Sequence, residues 1–209
     1  MTTDSVHAAY QHQPGINPRE EEILTESTRA FAKFGFRSTD VQVIADLLGI
    51  GKGTIYRAFP SKQALFLACA ERAMTRLRDS IQRASVDISD PVERLKAAIR
   101  AYFEFFDENP ELVELIIQER SEFKDRAKMT YFEHRDRSVQ PWNELFATLA
   151  SQGKVRSVEP EKITDFISQQ LYGKLFTHYF TGQKGALAED ADEVIDFLFH
   201  GFMLEPDEN

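Results

Sequence analysis

Apolar residues recur along this chain three and four positions apart from residue 17 almost to its end, and no stretch alternates as a half-buried strand would. Asn17-Pro18-x-Glu20 predicts a helix start, with an N-cap, a proline at the first position and acids in the first turn. Ile23, Leu24, Ser27, Ala30, Phe31 and Phe34 form its inward stripe, and Gly35 is expected to end it. Thr39 is the expected cap of a second helix carrying Val41, Ile44, Ala45 and Leu48, which Gly49 closes by taking a left-handed backbone. Ile50 then turns inward and Gly51 caps a third segment, Lys52 to Phe59. That segment is too short to hold its shape alone in water, so Ile55 and Phe59 must lean on the helix before it. Pro60-Ser61-Lys62 is a sharp stop and restart, with Ser61 capping a fourth helix that runs to about Arg83 on Leu65, Cys69, Ala73, Leu77 and Ile81.

Five further helices follow. Pro91 opens one with Val92, Leu95, Ile99, Tyr102, Phe103 and Phe106 on its face. Asn109-Pro110 opens the next, with Leu112, Leu115, Ile116 and Phe123 inward. The charged stretch from Arg126 to Ser138 has no apolar stripe and is left unassigned. Pro141 begins or kinks a seventh helix with Trp142, Leu145, Phe146 and Leu149, closed by Gly153. Pro160 opens an eighth that is apolar on more than one side, from Ile163 to Phe180. After a turn from Gly182 to Gly185, a ninth carries Val194, Ile195, Leu198, Phe199, Phe202 and Met203. The expected class is all-α, with about nine helices and no internal repeat.

Composition agrees with a packed core: 42% of the 209 residues are hydrophobic and 17 are Phe. A single Cys excludes an intrachain disulfide and fits a reducing compartment. Residues 1–16 are polar, lack the apolar core and basic flank of a signal peptide, and read as a flexible tail. His7 and His12 within it have no companion ligands, so no metal site is expected. No stretch reaches the roughly 20 apolar residues of a membrane helix, so a cytoplasmic location is expected.

The net charge is −9, but its distribution is uneven: residues 15–65 hold seven Lys/Arg against six Asp/Glu. From Lys52 to Lys62 there are three basic residues (Lys52, Arg57, Lys62) and no acid. Lys52, Thr54, Tyr56 and Arg57 therefore form a face of donors and one ring on the third helix. Two short helices joined by a tight turn, with such a face on the second, are the helix-turn-helix pattern that places its second helix in the DNA major groove. Arg57 and Thr54 are the candidates for base-edge contacts, with Lys52, Tyr56, Lys62 and Thr39 against phosphates and Gly53 beside them. Ser61 and Lys62 at the start of the fourth helix also suit an anion.

The run IADLLGIGKGTIYRAFPSK, from Ile44 to Lys62, resembles the signature of TetR-type transcriptional regulators. Gly51 stands where that family often has Ser, and Ala58 where His is frequent. The resemblance implies a helix-turn-helix domain over residues 17–62 and a ligand-binding and dimerisation domain over 63–209. It also implies a homodimer through the last two helices (Pro160–Thr181 and Asp190–Met203), which have more apolar surface than one core contact would cover. The aromatic residues Tyr102, Phe106, Phe123, Trp142, Phe146, Tyr172 and Phe176 are the candidate walls of its pocket. With no basic cluster among them, an apolar or aromatic effector is expected. The implied activity is a repressor released from a double-stranded DNA operator when the effector binds. No cofactor is expected. Two other functions are compatible with an all-α chain of this length. A helical protein-interaction module would share the architecture; an enzyme has no support, because the chain holds no Glu-x-x-His pairing, no His-Glu-x-x-His and no phosphate loop.

Overall fold

A computed structural model describes residues 17–156, 158–182 and 186–201. The expected tail at 1–16, Gly185, Phe202 and Met203 lie outside the described residues. The described chain is all-α, with ten α-helices and one 3₁₀ turn: α1 (Pro18–Ser38), α2 (Val41–Leu47), α3 (Lys52–Ala58), α4 (Lys62–Ser85), α5 (Pro91–Glu108), α6 (Glu111–Glu122), α7 (Thr130–Ser138), α8 (Gln140–Ser151), α9 (Pro160–Thr181), the 3₁₀ turn Leu187–Glu189 and α10 (Asp190–His200). No described helix is long and apolar enough to cross a membrane. The described residues form two compact units, one lying within 17–78 and 110–144, the other within 79–109 and 145–201.

In the first unit, Ile23, Leu24, Phe31, Val41, Ile44, Ala45, Ile55, Leu65, Phe66, Cys69 and Leu115 pack into one core. Asn17 caps α1 as expected, its side chain accepting the Arg19 N–H at 3.0 Å. Gly35 breaks the helix at φ +81°, a backbone region open mainly to glycine. The break shifts the register, so Phe34 is half-exposed instead of inward, and Phe36 takes its place. The Phe36 ring sits 5.5 Å from Phe66 and 4.9 Å from Phe123. Gly49 closes α2 at φ +62°, with Ile50 N–H bonded to Ala45 O and Gly49 N–H to Asp46 O, the paired bonds of a Schellman end. Ile55 anchors the seven-residue α3 by complete burial.

The unassigned stretch proves to contain α7. Its cap comes from another helix: the carboxylate of Glu119 on α6, buried, accepts both the Thr130 N–H and the Thr130 hydroxyl at 2.9 Å. Tyr131 and His134 are its inward residues, and its charged side chains pair with one another and with Glu71.

In the second unit, Asp90 caps α5 by accepting the Val92 and Glu93 N–H groups. Leu95, Ile99, Tyr102, Phe103, Phe105 and Phe106 are buried along it. Gly153 ends α8 with the same paired bonds seen at Gly49. The 3₁₀ turn is pinned to α5 by Asp107, whose carboxylate accepts Leu187 N–H at 2.7 Å and Ala188 N–H at 2.6 Å. Lys174 on α9 lies 3.3 Å from both Asp190 and Glu193 on α10. The ninth predicted helix was expected to reach Met203; Gly201, at φ +69°, ends it after His200. Phe166, Tyr179 and Phe180 on α9 and Phe197 and Phe199 on α10 stay exposed, Phe180 by 66%.

Candidate nucleic-acid interface

The helix-turn-helix face is built by burying one side of two short helices. Val41, Ile44 and Ala45 of α2 and Ile55 of α3 disappear into the core. What remains outside on α3 is Gly53, Tyr56 and Arg57, with Lys52 and Thr54 partly exposed. A Cβ at Gly53 would meet nothing within 4 Å, so the glycine leaves the bare backbone open to an approaching surface. Arg57 is exposed and has no carboxylate within ion-pair reach among the described residues. The Lys52 ammonium lies 6.0 Å from the Tyr56 ring centre and 3.0 Å from Asp40 Oδ1.

Two predicted contacts change character. Thr39 was expected to cap α2 and meet a phosphate. The cap is Asp40, whose side chain accepts the Gln42 N–H at 2.8 Å. The Thr39 hydroxyl is buried and turns inward, 2.7 Å from Gly35 O and 3.2 Å from Ala30 O, so it satisfies carbonyls at the broken end of α1. Lys62 also serves that end: its ammonium donates to Arg37 O and Thr39 O, each at 3.0 Å, and sits 4.9 Å from the Phe36 ring centre. Two of its three N–H bonds are thus already placed. Ser61 caps α4 as expected, accepting Ala64 N–H at 3.0 Å.

Asp40 is not among the residues expected at this face. It lies upstream of the acid-free window from Lys52 to Lys62, yet the turn between α2 and α3 brings it against Lys52. The ordinary preference of N-caps for Asp over Thr would have pointed to it. Its carboxyl is held below the usual range, first by the Gln42 N–H and then by Lys52, and Asp40 in turn raises Lys52.

The seven aromatic candidates for a pocket are divided between the two units. Phe123 packs with Phe36 and Phe66 in the first unit, which also contains the half-buried Trp142. Tyr102, Phe106 and Phe146 are buried in the second unit. The Tyr102 and Phe106 rings are 5.2 Å apart, and Tyr172 and Phe176 on α9 are 4.4 Å apart. Among the described residues no group of three or more His, Cys, Asp or Glu is arranged to hold a metal ion.

An outward-facing, cation- and hydroxyl-bearing second helix on a buried helical pair defines a helix-turn-helix head. Residues 23–69 match the family model "Bacterial regulatory proteins, tetR family", and residues 89–201 match "Tetracyclin repressor-like, C-terminal domain". The chain belongs to the TetR family of transcriptional regulators, which are not enzymes. It is 36% identical over 106 residues to the HTH-type transcriptional regulator YerO of Bacillus subtilis, a match covering 50% of this chain and 37% of YerO. It is 26% identical over 164 residues to YhgD of the same organism, covering 74% and 80% of the two chains. Among solved structures, the fatty acid degradation regulator FadR from Bacillus halodurans superposes with a TM-score of 0.79 at 19% identity, over 90% of this chain and 98% of that one. FadR from Bacillus subtilis, solved with stearoyl-CoA, gives 0.75 at 16% identity, over 88% and 99%. A transcriptional regulator from Saccharomonospora viridis, solved with choline, gives 0.74 at 23% identity, over 87% and 96%.

Proposed function

We propose that this chain is a cytoplasmic, ligand-responsive repressor that binds a specific DNA operator as a homodimer and leaves it when a small apolar or aromatic molecule binds. Residues 17–62 read DNA, and residues 63–209 bind the effector and the partner chain. The observation that carries the reading is the outer surface of α3, where Thr54, Tyr56 and Arg57 stand clear of a core that fully buries Ile55. Arg57 and Thr54 address base edges; Lys52 and Tyr56 address the backbone. Exposed rings on α9 and α10 support the second copy, since two-fold pairing sets two reading helices about one DNA turn apart.

The effector acts by preferring one arrangement of the dimer. It shifts DNA affinity only by the difference in its affinity for the two arrangements, typically ~1–3 kcal/mol. Stearoyl-CoA, whose long acyl chain supplies the apolar part that such a site would hold, is the first molecule to try, because FadR from Bacillus subtilis was solved with it. The test is fluorescence anisotropy of DNA from the chain's own upstream region, titrated with stearoyl-CoA and, separately, choline. Release of the DNA by a ligand that also raises the melting temperature supports the reading. Saturating ligand that stabilises the protein and leaves DNA affinity unchanged contradicts it.

A further inference from the structure

Asp40 carries two hydrogen bonds on one oxygen. Oδ1 accepts the Gln42 N–H at 2.8 Å, which caps α2, and the Lys52 ammonium at 3.0 Å, which is the first residue of α3. Three cations between residues 52 and 62 promised a basic surface. Lys52 is paired with Asp40, and Lys62 is bonded to the carbonyls of Arg37 and Thr39. Arg57 alone of the three has no such partner among the described residues. The charge of Lys52 is therefore offset, while Lys62 keeps its charge with two of its donors committed.

Folding does not explain the carboxylate. The pair is solvent-exposed on both sides, and exposed pairs contribute little to stability. Capping explains the carboxylate only in part: Asn caps a helix as well as Asp, although a negative charge also suits a helix N-terminus. What the carboxylate adds beyond the cap is to offset the charge of Lys52. A neutralised lysine displaces no counterions from DNA, and counterion release is the main source of sequence-independent affinity.

We propose that Asp40 is a specificity-determining residue: it withholds Lys52 from the backbone of non-specific DNA and gives it up only where base contacts by α3 bring a phosphate close enough to take its place. The carboxylate oxygen occupies the position beside the ammonium that a phosphate oxygen would fill. The exchange costs little on the operator, because one anionic partner replaces another. On other sequences the phosphate is not held in place, and the internal pair persists. Both groups are charged at neutral pH, the Asp40 carboxyl being held down by the Gln42 N–H and then by Lys52, and Lys52 being held up by Asp40.

This rests on the DNA-binding reading, and the experiment separates the two. Anisotropy with operator and scrambled duplexes is measured across a KCl series for wild type, Asp40→Asn, Lys52→Gln, the double variant and Asp46→Asn. Asp40→Asn should tighten scrambled DNA several-fold and steepen its salt slope by about 0.9, the value for one added phosphate contact. The operator should gain less, so the ratio between the two narrows. In the Lys52→Gln background the same change should have no effect on the slope. Asp46→Asn, which removes an equal charge from the same helix, should leave the scrambled-DNA slope as in wild type. The inference is overturned if Asp40→Asn matches wild type, if its gain persists without Lys52, or if Asp46→Asn gains as much; the last two would mean simple loss of repulsion. Should Asp40→Asn fail to fold, Asp40→Ser, also a cap, answers the same question. Wild type that does not prefer its operator would instead overturn the DNA-binding reading.

Discussion

The side-chain amide of Gln118, on α6, donates a 2.9 Å hydrogen bond to the backbone carbonyl of Phe31, in the last turn of α1 before the break at Gly35. Phe31 and Gln118 are both buried, and the bond ties α6 to α1 across 87 residues of chain. Gln118→Ala removes it, which costs about 0.5–1.5 kcal/mol. A urea melt should show a lower midpoint with an unchanged slope; an unchanged midpoint would show that the bond contributes nothing.

Cys69 lies at the centre of the first unit's core, its sulfur 3.6 Å from Leu24 O. Burial pushes its thiol up to about 12. A thiolate is the reactive form, so the native protein should react with a disulfide reagent at pH 8 only as fast as it opens. Labelling should accelerate in urea in step with unfolding. Complete labelling within seconds in buffer would mean the site is open.

Glu71 on α4 meets His134 Nε2 at 2.8 Å and Arg137 Nη1 at 3.1 Å, both on α7. The close approach of the His134 ring is the main cause, ahead of Arg137, that its carboxyl lies below the ordinary glutamate range. A folded-state value below the unfolded one means that Glu71 contributes stability fully above the unfolded value, roughly 4.3. That contribution disappears as pH falls through the lower folded value. Melting temperatures from pH 7 to pH 3 should therefore fall less steeply for Glu71→Gln than for wild type. Parallel curves would assign the acid sensitivity elsewhere. The effect is small, because Glu71 is partly exposed and solvent screens the pair.

Phe180 on α9 and Phe197 on α10 are 66% and 51% exposed, large rings left in water in the isolated chain. If the last two helices join two copies, Phe180→Glu and Phe197→Glu should each yield a folded monomer in sedimentation, with helical circular dichroism intact. A dimer of unchanged stability in both variants would place the interface on other residues.

Local chemistry was the legible part of this fold. Gly35, Gly49, Ser61 and Gly153 act within a few residues of themselves, so the helix ends they make can be read from the chain. Period arguments failed where the period itself breaks: past Gly35 the inward position passes from Phe34 to Phe36. The helix from Thr130 was invisible because its cap, Glu119, belongs to another element and its stripe is only Tyr131 and His134. In the candidate interface, the identities of Lys52 and Lys62 were plain but their partners were not. One partner is a carboxylate twelve residues upstream, and the others are backbone carbonyls, which carry no sequence signal. Thr39 illustrates the same limit: a hydroxyl next to a helix start suits a phosphate, and here it bonds to the end of the preceding helix instead.

The central claim is that α3 reads base sequence through Arg57, and its most direct test is a binding comparison. Wild type and Arg57→Ala are each titrated against the chain's own upstream duplex and against variants of that duplex substituted one base pair at a time. Wild type should discriminate among the variants. Arg57→Ala should lose about 1–3 kcal/mol on the intact site and become indifferent at one position while keeping its preferences at the others. A wild type that binds every duplex alike, or an Arg57→Ala that weakens all of them by the same factor, would contradict the account.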